Sequence, residues 1–385
     1  MKKVLQIVSS WGSGGVERYI SNFQKYMVDE YQYVVLPLRP AKSRSIFAEK
    51  FLKYGGEILE VPKTNGTTPF HRWRNRANAV LKCIQKGSYE IVHINGTTAD
   101  ALFYCRLIKK KLPNVKVIVH CHGDNVDPPH EKEKRFVHEV IKHVANYKPD
   151  YCLGCSERTL TWMFSQKTLK DTPHEVLYCG IEVDEFIYSI ENRTEIRKSL
   201  QCTEDTLLIG TVGRFSEQKN PMFILEILGK LAEKGVPYKF LWIGSGVLEE
   251  SVKNRAKELK IEKNIIFFGV CSNTAPMYSA MDIFILPSLY EGNPIVGFEA
   301  QASGLPCFFS DKIIGEAKIS ERVHFLPIEN AADIWADEIQ KCDLNYRRDD
   351  MAHRLIENGQ DVKGCAARMM EIYRIVGEKR EERSR

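Results

Sequence analysis

Short apolar runs alternate along this chain with longer stretches of helical periodicity, and that rhythm restricts the fold more than any single motif. The runs fall at 4–8, 33–38, 56–61, 91–94 and 115–119, and again at 207–212, 240–243, 265–269 and 283–287. Strands that are apolar throughout are covered on both faces, and strands separated by helices pair in parallel. The reading is an α/β chain with doubly wound, Rossmann-like parallel sheets. Its 385 residues are long for one core and suit two domains. The boundary is expected at about residue 185, giving domains 1–185 and 186–361, followed by a helix over about 362–380 and a charged tail.

Composition excludes several classes. No apolar run reaches the roughly 18 residues of a membrane-spanning helix. Met1-Lys-Lys is followed by only Val-Leu-Gln-Ile-Val, which reads as a first strand rather than a signal peptide, so a cytoplasmic location is expected. Eleven cysteines, odd in number and mostly set in apolar runs, argue against a disulfide framework. Cys152-Leu-Gly-Cys155 has redox or zinc spacing but lies in a strand pattern with no second pair, so no metal site is expected. Residues 1–185 carry 28 basic and 20 acidic side chains, against 27 and 30 in the remainder. The basic first half therefore points to an anionic surface or acceptor; no nucleic-acid motif accompanies it.

The first run leads into Ser9-Ser-Trp-Gly-Ser-Gly-Gly-Val-Glu17 and a helical pattern through Met27. Strand, glycine-rich turn and helix place free backbone N–H groups where phosphate or sugar can approach. The spacing of Gly12, Gly14 and Gly15 is not that of a dinucleotide fingerprint, and the next strand ends without a ribose-binding acid, which disfavours a dehydrogenase. Phe70-His-Arg-Trp-Arg-Asn-Arg76, before an apolar-periodic helix, reads either as a solvated basic face or as a patch for anionic lipid, with Lys109-Lys-Lys111 adding to the latter. His120-Cys-His-Gly-Asp124 lies just past a strand end, where open α/β sheets bind ligands; no third metal ligand accompanies the two histidines. The segment from Asp127-Pro-Pro-His130 is an acceptor-facing candidate.

In the second half, Gly213-Arg-Phe-Ser-Glu-Gln-Lys-Asn-Pro221 puts Arg214 and Lys219 on one strand-to-helix loop, which suits a diphosphate. Gly244-Ser-Gly246 is a second close-approach turn. The richest stretch is Ser288-Leu-Tyr-Glu-Gly-Asn-Pro-Ile-Val-Gly-Phe-Glu299. Asn293 reads as the N-cap of a helix whose first residue is Pro294, with Glu291 in the preceding loop and Glu299 in the second turn. Between the glutamates lie the orphan N–H groups of a helix start, a seat for phosphate formed around Gly292, Asn293, Pro294 and Ile295.

The Glu291-to-Glu299 spacing resembles the Glu-x7-Glu signature of retaining, nucleotide-sugar-dependent glycosyltransferases of family 4, and the stretch 287–311 is similar to exopolysaccharide and capsule enzymes. The resemblance spans essentially the whole chain and is strongest over 207–311. It implies a GT-B architecture, two Rossmann-like domains facing a cleft, with the C-terminal helix (about 362–385) returning to an acceptor-side first domain and the nucleotide mostly on the second. It implies that Glu291 contacts the donor sugar, that Glu299 holds the ribose, and that Arg214 and Lys219 take the diphosphate. Gly14, Gly15 and Glu17 match the family's Gly-Gly-x-Glu element, and His122, with His120 as substitute, matches a histidine near the donor sugar. Tyr178-Cys-Gly-Ile-Glu182 departs from the family's Pro-Asn-Gly-Ile-Asp, keeping the turn at Gly180. The implied activity is metal-independent hexosyl transfer, without a cofactor, from a UDP-sugar to a saccharide or lipid-linked saccharide at the inner membrane face. A sugar-nucleotide epimerase and a catalytically silent scaffold are the rival readings. The first needs an acid–base set not found in the sequence, and the second would be expected to have lost at least one of Arg214, Lys219, Glu291 and Glu299.

Overall fold

A computed structural model describes residues 1–12, 14–40, 45–60, 68–126, 131–144, 147–346, 348 and 351–378. The chain forms two compact units, Met1–Gly180 with Val362–Arg385, and Ile181–Asp361. The crossing point comes five residues before the boundary expected at 185, because Val183–Phe186 packs within the second unit, where the Phe186 ring meets Tyr278 edge-on at 5.7 Å. Among the described residues no helix is long and apolar enough to cross a membrane.

The first unit holds seven strands: Lys2–Val8 (β1), Tyr31–Pro37 (β2), Glu57–Ile58 (β3), Ile91–Gly96 (β4), Lys116–Cys121 (β5), Tyr151–Gly154 (β6) and His174–Val176 (β7). All pair in parallel in the order β3-β2-β1-β4-β5-β6-β7. β3 is shorter than the run 56–61 suggests: two residues pair with Val34 and Val35. The basic segment 70–76 lies inside the helix Pro69–Gly87 rather than before it, because Thr68 caps that helix by accepting from the His71 amide at 3.2 Å, with Pro69 at its first position. The C-terminal helix Val362–Glu378 belongs to this unit and buries Met369, Ile372, Tyr373 and Val376.

The second unit holds Leu207–Val212 (β8), Tyr238–Ile243 (β9), Ile265–Gly269 (β10), Ile283–Leu286 (β11), Cys307–Ser310 (β12) and Val323–Leu326 (β13), again all parallel, in the order β10-β9-β8-β11-β12-β13. Its helices pack on the sheet through side chains such as Phe223, Leu228 and Trp335 on one side and Tyr278, Phe298 and Leu355 in the other cluster. Each fully buried aliphatic or aromatic side chain contributes about 1.5–3 kcal/mol by leaving water. β11 is fixed against β8 by Asp282, whose Oδ2 accepts from the Leu208 amide at 2.7 Å and from buried Arg197 Nη1 at 3.0 Å.

Strand order reverses direction between β1 and β4 in the first unit and between β8 and β11 in the second. At such a switch point the loops leaving neighbouring strands part to opposite faces, and a crevice opens at the carboxyl ends.

Candidate active site

The second unit brings its candidates together on the two loops at its switch point. Past β8, residues 213–220 carry Arg214 and Lys219; past β11, residues 287–294 carry Glu291, Gly292, Asn293 and Pro294. The loops are stitched to each other: the Leu289 amide donates to the Gln218 carbonyl at 2.8 Å, and Gln218 Nε2 donates to the Tyr290 carbonyl at 3.1 Å. Lys219 Nζ then meets Glu291 Oε1 at 2.5 Å, with both side chains largely buried (17% and 8% exposed). A pair this enclosed holds its geometry because removing either member leaves a buried charge uncompensated. Arg214 stands exposed on the same loop.

Gly244, at the end of β9, has a fold-level reason to be glycine. Its φ is +145°, and a Cβ there would lie 2.0 Å from the Gly213 carbonyl oxygen. Hydrogen bonds from the Gly213 amide to the Ile243 carbonyl and from the Gly244 amide to the Gly269 carbonyl bind the loops after β8, β9 and β10 into one platform.

The helix after β11 begins one residue later than expected, at Ile295, and ends at Ala302. Pro294 is its flanking residue (φ −78°, ψ 77°), and Asn293 provides no side-chain cap. The cause is a tight entry: the Ile295 amide bonds the Asn293 carbonyl at 2.9 Å and the Gly297 amide bonds the Pro294 carbonyl at 2.8 Å. Neither side-chain polar atom of Asn293, both enclosed, makes a hydrogen bond among the described residues. Glu299 lies in the second turn but is wholly buried, its Oε2 accepting from the Tyr278 hydroxyl at 2.9 Å.

The first unit treats its candidates differently. Glu17 folds back over the glycine turn after β1, where Oε1 accepts from the Gly12 amide at 2.9 Å and Oε2 from the Gly14 amide at 3.0 Å. Gly14 is the flanking residue and Gly15 the first of the helix Gly15–Met27, so the carboxylate satisfies N–H groups that a helix start otherwise leaves open. His122 follows β5, its amide bonded to the Gly96 carbonyl at 2.9 Å. Its ring lies 4.0 Å from that of His120 and 5.1 Å from that of Tyr19, measured between centroids. His120 points into the core, fully buried, and stacks on His93 at 5.5 Å. Burial pushes His93 and His122 down to about 3, with the Glu17 carboxylate opposing the shift at His122, and it lowers His120 as well. All three rings are neutral at pH 7 because the interior disfavours the charged form. Of the two sequence candidates, His122 is the half-buried one and His120 the core residue. Asp127, Pro128, Pro129 and His130 lie outside the described residues.

Chemically, the second unit offers two cations, a carboxylate and a helix start around one crevice, a set that binds a dianion and orients hydroxyls. The first unit offers neutral imidazoles and a Glu17 carboxylate already engaged by two backbone amides. Gln218 and Tyr278, which hold the loops and Glu299 in place, were missed in the sequence because lone polar residues in a loop and a short helix carry no periodic signal. Asn95, described below, was missed for the same reason.

Two family models match the chain, one in each half. The model described as Glycosyltransferase Family 4 matches residues 13–185, and the one described as Glycosyl transferases group 1 matches 192–362. The putative glycosyltransferase EpsF of Bacillus subtilis is 26% identical over 383 residues, covering 98% of each chain. An Escherichia coli enzyme named UDP-Gal:alpha-D-GlcNAc-diphosphoundecaprenol alpha-1,3-galactosyltransferase is 25% identical over 237 residues, 60% of each chain. The crystal structure of Anabaena HepE in complex with UDP and glucose superposes with a TM-score of 0.73 at 16% identity, over 97% of this chain and 99% of that one. With two Rossmann-like units and both family models matched, the chain belongs to the family 4, group 1 glycosyltransferases of the GT-B fold.

Proposed function

We propose that this glycosyltransferase retains anomeric configuration and moves a hexose or N-acetylhexosamine from a UDP-sugar to a saccharide or polyprenyl-linked saccharide in exopolysaccharide or capsule synthesis. The observation that carries the donor side is the ion pair of Lys219 with Glu291 on adjoining switch-point loops that also carry Arg214 and lead to the helix start at Ile295. Breaking the bond from the anomeric carbon to the diphosphate builds negative charge on the leaving oxygen. Arg214, Lys219 and the amides of Gly292 to Ile295 stabilise that charge directly, so neither a metal nor another cofactor is required. Glu291 orients the sugar hydroxyls, and Glu299 holds the ribose. Gly14, Gly15, Glu17 and Gly244 line the approach of the substrates, and His122 contacts the donor sugar. Retention rests on the family resemblance, and a front-face route needs no covalent nucleophile.

The choice of UDP is supported by the names of two similar proteins, one bound to UDP and one using UDP-galactose, the second acting on a diphosphoundecaprenol saccharide. A lipid-linked acceptor at the inner membrane face also fits the exposed His71, Arg72 and Arg74 of the helix Pro69–Gly87. Binding to anionic vesicles that weakens with salt is expected; equal binding to neutral vesicles counts against membrane contact. The transfer reaction is tested by incubating the protein with UDP-hexoses, chelator and undecaprenyl-diphosphate saccharides, then reading product mass and anomeric configuration. A retained glycoside is the expected product. An isomerised UDP-sugar would indicate an epimerase, and binding without turnover a scaffold.

A further inference from the structure

Behind His122 lies a buried chain of polar side chains that the family resemblance does not account for. Asn95, 6% exposed at the end of β4, places Oδ1 2.9 Å from His122 Nε2. Asn95 Nδ2 donates to Gln6 Oε1 at 2.8 Å, and Gln6 Nε2 donates to the Tyr373 hydroxyl at 3.0 Å. That hydroxyl is also 2.9 Å from His93 Nδ1 and 3.0 Å from the Tyr33 hydroxyl. The chain thus draws on β1, β2, β4 and the helix Val362–Glu378, and Gln6, Tyr33, His93 and Tyr373 are fully buried.

The orientation of the Asn95 amide decides what His122 can do. Its nitrogen faces two acceptors, Gln6 Oε1 and, at 3.5 Å, the His93 carbonyl. Reversing the amide would turn Oδ1 toward a backbone oxygen that cannot donate. Oδ1 therefore faces the imidazole, and the nitrogen opposite it must carry a proton. A neutral imidazole has one N–H, so Nδ1 keeps its lone pair. Nδ1 lies 3.7 Å from Cys179 Sγ, and a thiol is a weak donor that a hydroxyl can replace.

We propose that Asn95 is a positioning residue: it fixes His122 as the Nε2–H tautomer, so that Nδ1 serves only as a hydrogen-bond acceptor for a sugar hydroxyl. This rests on the reading of His122 as a donor-sugar contact. The groups around the ring are Glu17, Tyr19, His120, Asn95 and Cys179, and Glu17 is spent on the Gly12 and Gly14 amides. The arrangement outlasts ordinary changes of pH because burial disfavours a charged imidazole and the nearby Glu17 carboxylate already accepts from two amides.

Long-range 1H–15N correlation of the imidazoles in 15N-histidine-labelled protein tests this, with His122→Gln to assign the ring. The expected result is a single Nε2–H tautomer, unchanged between about pH 5 and 9. An Nδ1–H ring, a mixture, or titration within that range overturns the proposal. Asn95→Leu is expected to mix the tautomers and lower kcat about tenfold with the donor KM within about twofold, the loss of one buried hydrogen bond. Asn95→Asp, which still accepts from Nε2–H, is expected to keep the tautomer and raise the pKa of the ring into the observed range; an unmoved pKa counts against contact between the two side chains. Undiminished transfer by His122→Ala, with the tautomer as expected, would overturn the functional reading and the positioning role with it. A wrong tautomer in the wild type overturns the positioning role alone.

Discussion

Both units put their candidate residues beside the carboxyl end of the central strand of a parallel sheet, yet they manage polarity in opposite ways. In the second unit the groups are charged, and Lys219 and Glu291 neutralise each other at 2.5 Å on loops locked by backbone contact. In the first unit the Glu17 carboxylate is taken up by two backbone amides, and His122, Asn95 and Gln6 are joined by uncharged hydrogen bonds. Under the proposed function, charge that meets a diphosphate gains from a cation that releases one anion to take another, and groups that meet sugar hydroxyls need direction rather than charge. The difference also separates which substitutions damage chemistry and which damage the fold.

The largest effect is expected at Lys219→Ala. It removes a proposed phosphate contact and leaves Glu291 buried without its cation, so kcat/KM should fall about 10²- to 10³-fold. If turnover stays within about threefold of wild type in steady-state assays, the charged half of the contrast fails.

The glycines extend the contrast to stability. Gly244→Ala drives a Cβ toward the Gly213 carbonyl at a φ of +145°, and about 3 kcal/mol or more should be lost. Gly14→Ala meets only the end of the Glu17 side chain, 2.7 Å away, and should cost less than about 1 kcal/mol. Urea unfolding of the two variants gives the ratio directly; similar losses would show that the two glycine turns are built alike.

A smaller effect is expected at Glu299→Ala, which strands the Tyr278 hydroxyl and removes the proposed ribose contact. UDP affinity should drop about tenfold, together with about 1–3 kcal/mol of stability. Lost stability with unchanged affinity would make Glu299 a residue of the fold alone.

How much of this could be read from the sequence depends on the scale of the feature. The strand rhythm is legible because a doubly covered strand must be apolar along its length, as β1, β4, β8, β9 and β11 largely are; β3 pairs over only two residues and β7 has no buried residue, and both leave a weaker trace. Arg214, Lys219 and Glu291 are legible as site candidates because their strand-to-helix loops and motif order match the family; charged residues in a loop are otherwise usually only solvated. The ion pair between Lys219 and Glu291 is not, since 72 residues separate them. The start at Ile295 instead of Pro294 depends on a backbone turn that residue types leave open. Asn95, Gln6 and Tyr373 are three ordinary polar residues on distant elements, and only the folded sheet brings them together.

A further prediction concerns acid. The pKa values of His93 and His122 are about 3 in the folded chain, while an unfolded histidine titrates near 6.5. The unfolded state therefore binds more protons between these values, and the stability that neutral histidines contribute is fully present above about pH 6.5 and is lost as pH falls toward 3. Each should lower the unfolding free energy by about 1.4 kcal/mol per pH unit across that window. Hydrogen exchange followed segment by segment from pH 7 to about pH 5 should show β4 and β5 losing protection before β8 and β11. Simultaneous loss would remove the acid-sensitive difference between the units.

The central claim is that the second unit's cations hold the nucleotide diphosphate without a metal. Calorimetric titration of UDP into the purified protein with excess chelator tests it, repeated with Arg214→Ala. The account predicts binding of the wild type and at least about tenfold weaker binding of the variant, the worth of one charge-assisted contact. Binding that requires a divalent cation, or that Arg214→Ala leaves unchanged, would contradict it.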